Sequence, residues 1–585
     1  MTKTTLISGA LVPHGDWCAP MDVLIKGSTI DAVCPVGEAR AVEAGEERET
    51  ILCDHETRLL LPGLHNAHTH SSNFFIKGGI SGLPLELMVS CGACLPPSHA
   101  WKLHGIGYGK GADPAAKEEQ YRIAALATGI QNILSGATSL VDMISLPDHG
   151  ELGFRCLAAA AKGFKQSGVR VFLGPQFDDS MDNETGSGKT ANFLAVVPED
   201  KRDKIEKDMR DKGLRGLGEN GGLRRYRAPT DPKKTAGALA LWRRAIEELH
   251  NPAEGVHIIL SPHNELTCSE NLFRGAVELM KEFDDIHATV HVLEGLHQPI
   301  AGGPETSGAN GVNDAVSRSV RILDECGFLT PRTTLAHCVH LTRGDMKLIA
   351  SRGCTVSHNP ISNLRLGAGI ADTLSMLDEG VNVGIGIDGA GSGVECQDML
   401  SAAKLACLLP NVKTAEYRQW LRPRDVLLEM GCRYGRAAVG LNTATGGVPV
   451  DESIESTIAP GAVADLVLYD LTSLSLLPRA DPFTSLLLGS GRPGFGSSQV
   501  VWSWVAGRAA VRDGDCEADI AKLRKDIMST GPNCYPPADV PANFGSPYEV
   551  EYRAVLGLPL EPPPKSYFKK RLFNFDLVPK TPPMK

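Results

Sequence analysis

The chain has 585 residues, with 59 Lys and Arg against 69 Asp and Glu for a net charge of −10. At that length a single hydrophobic core has stopped growing, so one large domain with an addition is expected rather than a small binding module. An apolar share of 42% and a charged share of 22% exclude a mainly disordered chain, the acidic balance disfavours a nucleic-acid binder, and no run reaches the roughly 18 apolar residues of a membrane span.

In chain order, residues 1–58 carry two β-like runs, 5–12 and 23–33, and no helical periodicity. Eight short, near-continuously apolar runs follow, at 59–64, 138–143, 169–177, 256–263, 289–295, 333–341, 354–359 and 381–389. Such runs suit strands buried on both faces. Amphipathic stretches lie between them; in 121–134, Ile123, Leu126, Ile130, Ile133 and Leu134 share a helical face. Eight strands alternating with helices predict an α/β fold, a (β/α)8 TIM-like barrel over 59–450, with an open doubly wound sheet as the alternative. Residues 451–515 are again strand-rich, with runs at 454–458, 465–469, 500–505 and 508–511. The two flanks, 1–58 and 451–515, read as one small β-sandwich-like domain built from both chain ends.

Two segments fit no element. Residues 178–235 are polar and contain Gly186-Ser187-Gly188-Lys189-Thr190, but Asn183 stands where a phosphate-binding loop needs glycine. That stretch reads as a solvated insertion. The extension 516–585 is Pro-rich from Pro536 yet carries Tyr548, Tyr552, Tyr567, Phe568, Phe573 and Phe575, so it is expected to pack on the barrel or on a second subunit. Fifteen scattered cysteines read as reduced thiols in a cytoplasmic protein. The Cys91-Gly-Ala-Cys94 pair has no matching partner pair, and the N-terminus lacks the apolar stretch of a secretory signal.

Barrel enzymes keep their chemistry at the C-terminal ends of the strands. The first run leads into Pro62-Gly-Leu-His-Asn-Ala-His-Thr-His70, where His68 and His70 at i and i+2 of an extended segment point the same way. The fifth supplies His291 and Glu294, the sixth His337 and His340, the eighth Asp388. Imidazoles with one carboxylate suit Zn²⁺ or Fe²⁺. His340, read on a strand, faces the Cys338 side and is assigned to packing.

These segments resemble the amidohydrolase superfamily, within the group of S-adenosylhomocysteine/methylthioadenosine, guanine and cytosine deaminases and atrazine and triazine hydrolases. The matching pieces are PGLHNAHTH (62–70), SGATSLVDM (135–143), SPHNELTCSENL (261–272), HVLEG (291–295), LAHCVHL (335–341), VSHNPISNLRLGAGIAD (356–372), GIGIDGAGS (384–392) and APGAVADLVLYD (459–470). The resemblance implies one divalent metal per subunit, zinc ahead of iron, held by His68, His70, His291 and Asp388. It implies Glu294 as general acid/base, His337 as the group that positions or polarises the attacking water, Asp388 as the acceptor of that water's proton, and His263 as a substrate contact. The two-metal members use a lysine on the fourth strand; 256–263 has none. The expected reaction is attack of metal-bound hydroxide on a C–N bond other than a peptide, deaminating a nitrogen heterocycle. A triazine-type hydrolase or a cyclic amidase is the alternative on the same site, and a non-catalytic scaffold the remote one. Residues 83–88 lack the Leu-x-x-Trp-Leu pattern of relatives, and Cys94-Leu-Pro-Pro97 stands where nucleoside deaminases place a ribose-binding glutamate, which weighs against a nucleoside. The expected partners are a small-molecule substrate and further copies of the chain, as a homodimer or higher homo-oligomer, with no nucleic acid and no membrane.

Overall fold

The computed structural model describes residues 2–43, 45–54, 57–77, 84–85, 113–179, 230–295, 314–392, 394, 396–441, 458–490 and 499–530. Cys91 and Cys94, the 83–88 and 94–97 stretches apart from residues 84–85, most of the 178–235 insertion and the Pro-rich tail lie outside the described residues.

The strands are β1 (Thr2–His14), β2 (Trp17–Lys26), β3 (Thr29–Pro35), β4 (Glu46–Leu52), β5 (Arg58–Pro62), β6 (Leu64–Thr69), β7 (Ala137–Ser145), β8 (Arg170–Phe177), β9 (Val256–Ile258), β10 (Ser261–Pro262), β11 (Ala288–Val292), β12 (Thr333–His337), β13 (Thr355–His358), β14 (Asn382–Ile385), β15 (Leu466–Asp470), β16 (Val500–Val505), β17 (Arg508–Arg512) and β18 (Asp515–Cys516). β6 to β10 form one parallel sheet, in which both β9 and β10 pair β8; β11 to β14 form a second. Parallel bridges Leu260–Ala288 and Asn264–His291 join them on one side. On the other, the amides of Ile387 and Asp388 donate to the His68 carbonyl at 3.1 and 2.8 Å.

Helices alternate with these strands because the intervening segments carry a helical apolar face and clear stop signals. In Glu151–Ser167, Phe154, Leu157, Ala160, Ala161 and Phe164 are buried at i, i+3, i+6, i+7 and i+10. Gly168 then closes the helix at φ +82°, a left-handed conformation that glycine takes without strain. The helix predicted over 121–134 runs Pro114–Leu134, started by the proline.

The chain ends meet in one mixed sheet of nine strands, ordered β18-β17-β16-β15-β5-β1-β2-β3, with β4 also on β1. Its two faces have different cores. Leu60, Leu466 and Leu468 join Ile7, Val23, Ile25, Trp502 and Trp504, while Leu59, Leu61, Val467 and Tyr469 join the large core shared with the parallel sheets. The period of two along a strand makes this division.

Several predicted runs are re-partitioned. The apolar run 59–64 is not a strand of the parallel set: β5 pairs antiparallel with β15, and the parallel set begins at Leu64, after Gly63. Thr138 explains the glycine, since a Cβ at 63 would fall 2.1 Å from its hydroxyl oxygen. The run 23–33 is two strands of a hairpin, and β4 has no counterpart in the apolar pattern. The fourth run is split into β9 and β10.

Candidate active site

His68 and His70 lie at the end of β6 and just beyond it, His291 on β11 and His337 at the end of β12. Asp388 follows β14 by three residues. Their ring nitrogens and carboxylate oxygens converge: His68, His70 and His291 form one set within 4.8 Å, and His68, His337 and Asp388 another. Asp388 Oδ1 is 3.7 Å from His68 Nε2 and 3.5 Å from His70 Nε2, and Oδ2 is 3.7 Å from His337 Nε2. Glu294 Oε1 stands 3.6 Å from His337 Nε2.

The orientation of each ring is fixed from behind. His70 Nδ1 lies 2.6 Å from the Met143 carbonyl and His291 Nδ1 2.8 Å from the His263 carbonyl. A carbonyl only accepts, so both Nδ1 atoms carry the proton and both Nε2 atoms present lone pairs. Those two Nε2 atoms are 3.2 Å apart. Facing lone pairs at that distance suit a shared cation. Burial, then the neighbouring rings, holds His68 and His291 well below the ordinary imidazole range. Neither ring nitrogen of His68 has a hydrogen-bond partner, nor does His337 Nε2, although both side chains are fully enclosed. Most buried polar atoms in folded proteins are paired, and here three unpartnered nitrogens meet in one place. A divalent cation bound by nitrogen and oxygen therefore fits the residues present.

The carboxylate is held as firmly. Ser362 donates from its hydroxyl to Asp388 Oδ2 at 2.7 Å, and the Gly389 amide to Oδ1 at 2.6 Å. His337 Nδ1 sits 3.0 Å from Asn363 Oδ1 and 3.3 Å from Asn359 Nδ2. Burial keeps His337 below its ordinary range against the opposing pull of Asp388 and Asn363. Leu293, His337, Cys338 and Asp388 all have positive φ, at 46°, 73°, 51° and 75°. Each such residue costs about 1–3 kcal/mol and is kept where a site needs it.

All the residues named from sequence come together here except His340. The strand ends at His337 and Cys338 turns left-handed, so strand parity does not govern His340; it lies in the following turn, its amide donating to the Leu293 carbonyl at 3.1 Å. His263 sits beside the centre, its ring centroid 5.2 Å from that of His291 and its Nδ1 3.1 Å from Thr267 Oγ1. Asn359, Ser362 and Asn363, which the sequence reading leaves without a role, hold His337 and Asp388.

Fold and site together define a hydrolase built on a histidine–carboxylate centre at the C-terminal ends of parallel strands. The chain belongs to the amidohydrolase family, whose profile matches residues 59–488. It is similar to the 5'-deoxyadenosine deaminase of Methanothermobacter thermautotrophicus, 27% identical over 80% of this chain and 86% of that protein. It is also similar to the 5-methylthioadenosine/S-adenosylhomocysteine deaminase of Nitratidesulfovibrio vulgaris, 28% identical over 84% of this chain and 89% of that protein. Among solved structures, the atrazine chlorohydrolase of Arthrobacter aurescens TC1 complexed with zinc superposes with a TM-score of 0.66 at 20% identity, covering 90% of this chain and all 100% of that one. An adenosine deaminase from Xanthomonas campestris with bound zinc gives 0.63 at 21%, covering 90% and 97%. No helix among the described residues is long and apolar enough to cross a membrane.

Proposed function

We propose that this chain is a metal-dependent aminohydrolase that replaces the exocyclic amino group of a nitrogen heterocycle with oxygen, taking up water and releasing ammonia. The observation that carries it is the facing pair of Nε2 lone pairs on His70 and His291, 3.2 Å apart with Asp388 3.5 Å from His70. His68, His70, His291 and Asp388 hold one divalent cation, zinc ahead of iron. When bound, such a cation lowers the pKa of water toward 7 and supplies a nucleophile at neutral pH. Asp388 takes the proton of the attacking water. Glu294, 8% exposed and beside His337, carries a proton to the ring nitrogen and then to the departing ammonia. His337, whose Nε2 lies between the two carboxylates, positions the water. His263 contacts the substrate.

The substrate class is an adenosine derivative altered at the 5' position. Two relatives named for such deaminations align over four-fifths or more of the chain and support this. The sequence Cys94-Leu-Pro-Pro97, without the expected glutamate, favours a second reading, a triazine-type hydrolase releasing chloride or an alkylamine. A screen for released ammonia over 5'-deoxyadenosine, 5'-methylthioadenosine, S-adenosylhomocysteine, free bases, pterins and triazines separates the two. Ammonia from an adenosine derivative supports the first reading. Chloride or alkylamine release without nucleoside turnover supports the second, and a chain holding far less than one zinc or iron per subunit, even after metal supplementation, supports the scaffold.

The same reading takes the eight parallel strand positions, from Leu64 onward, as a closed (β/α)8 barrel reaching to about 450. It takes the two chain ends, with Arg58–Pro62 moved to their sheet, as a small β-domain, 178–235 as an insertion and 516–585 as an extension. It places the protein in the cytoplasm as a homodimer or higher homo-oligomer.

A further inference from the structure

We propose that Gln397 is a positioning residue for Asp388, acting through a chain of buried amides that fixes the direction of the Asp388 peptide; this rests on the metal-site reading above. Gln397 lies just before the helix Met399–Leu408, nine residues past the carboxylate it serves, and is 6% exposed. Its Nε2 donates to the Asp388 carbonyl at 2.6 Å. Its Oε1 accepts from Asn66 Nδ2 at 3.3 Å and lies 2.9 Å from the Thr69 hydroxyl. That hydroxyl is also 3.1 Å from the Asp388 carbonyl, so its single proton is shared between the two oxygens. Asn66 donates as well to Asn132 Oδ1 at 2.9 Å, and Asn132 donates to the Thr128 carbonyl at 2.9 Å. Asn66 Oδ1 accepts the Ile387 amide at 3.0 Å.

The ends of this chain are backbone groups of fixed polarity: the Thr128 and Asp388 carbonyls only accept, and the Ile387 amide only donates. The orientation of each side-chain amide between them is therefore determined. The network has one arrangement, and its output is a donor aimed at the Asp388 carbonyl.

That carbonyl needs holding. Asp388 has φ +75°, a conformation disfavoured for any residue with a Cβ. Its amide is tied to the His68 carbonyl at 2.8 Å and its carboxylate to Ser362 at 2.7 Å. The peptide that leaves Asp388 is held by Gln397, with Thr69 as the second donor. On the far side Gly389 presses against His70: a Cβ there would lie 2.7 Å from His70 Cβ and 3.0 Å from its carbonyl oxygen. Without the Gln397 amide, the Asp388 carbonyl keeps only the shared Thr69 proton, and the left-handed turn that aims the Asp388 carboxylate at His68 and His70 is held less firmly.

The test uses the full chain loaded with cobalt(II), which takes nitrogen and oxygen sites and whose visible absorption reports ligand geometry. Gln397→Met keeps the length and removes the amide. It should bind cobalt about ten- to a hundredfold more weakly, shift the visible band, and lower kcat with little change in KM. Thr69→Val, which removes one of the two donors to the same carbonyl, should move all three in the same direction by less, and it carries the test if Gln397→Met does not fold. Cobalt affinity and spectrum equal to wild type in the folded variants would overturn the proposal, whatever happens to the thermal midpoint. The cobalt readings need no substrate, so the two ideas fail separately. A wild type that binds cobalt yet deaminates nothing sinks the aminohydrolase reading alone; a Gln397→Met protein matching wild type in cobalt binding and turnover sinks this one alone.

Discussion

Replacing Asp465 by asparagine is expected to destabilise the protein severely while leaving the metal centre loaded. Asp465 is fully enclosed between Arg170 and Arg436, which are themselves about one-twentieth exposed. One carboxylate answers both guanidinium groups: Oδ2 meets Arg170 Nη1 and lies 3.1 Å from Arg436 Nη1, while Oδ1 takes Arg170 Nη2 at 3.1 Å and the Ala506 amide at 2.7 Å. Asparagine preserves the shape and one oxygen acceptor but leaves two buried positive charges without a counter-charge. Removing one partner of a buried pair costs about 3–5 kcal/mol, and two stranded arginines place this case at the upper part of that range. That is roughly a thousandfold in the folding equilibrium. Urea unfolding followed by tryptophan fluorescence measures it, because Trp502 and Trp504 stack at 5.6 Å in the sheet that Asp465 adjoins. The Asp465 carbonyl accepts the Gly63 amide, at the opposite end of β6 from His68 and His70, so metal content should not change. A variant within about 1 kcal/mol of wild type would refute the argument that an uncompensated charge dominates.

The same carboxyl makes stability acid-sensitive: burial pushes its pKa up, but Arg170 and Arg436 outweigh this and hold it below the ordinary value. A depressed native pKa gives stability that is complete above the unfolded value near ~4 and lost as pH falls through the native one; urea midpoints should fall below pH 4 in wild type and less steeply in Asp465→Asn. Ala at His68, His70, His291 or Asp388 should lower bound metal, read by elemental analysis, and abolish turnover. Glu294→Gln should retain the metal and lose about 10²–10⁴ in kcat; near-wild-type kcat would remove Glu294 from the reaction. Gly389→Ala should lose metal affinity together with about 1–3 kcal/mol of stability, because the added Cβ meets His70 at 2.7 and 3.0 Å. Deleting 540–585 should change the oligomeric mass seen by light scattering or lower the thermal midpoint, if that aromatic-rich segment packs against the body or a second subunit.

The site was more legible in the sequence than the boundaries of the fold. His68 and His70 follow an apolar run, His291 lies within one and Asp388 near the end of one, and HxH on an extended segment carries its own geometric meaning. The run 59–64 misleads for a physical reason: Leu59, Leu60 and Leu61 in β5 are buried on both faces, as in an inner parallel strand, though their neighbour β15 runs antiparallel. Only the Pro62-Gly63 step marks the change. β4, Glu-Glu-Arg-Glu-Thr-Ile-Leu, pairs β1 in parallel while half exposed, and charged residues at most positions hide it. The amides of Asn66, Asn132 and Gln397 have no spacing or period in common, so nothing short of their meeting in space reveals them.

The antiparallel pairing of β5 with β15 has a consequence for biosynthesis. β5 is complete in the first tenth or so of the chain, but its partner follows about 400 residues later. At ~5–20 residues per second, synthesis leaves that strand waiting for roughly 20–80 s. Through this interval Leu60 has Ile7, Val23 and Ile25 beside it but lacks Leu466, Leu468, Trp502 and Trp504, and one row of backbone donors and acceptors is unmatched. The nascent protein therefore passes through a long stage in which β5 is an open β-edge, the form most prone to pair with a neighbouring chain. Demand on holding chaperones should be greatest in this window and end abruptly once residues 466–470 clear the ribosome.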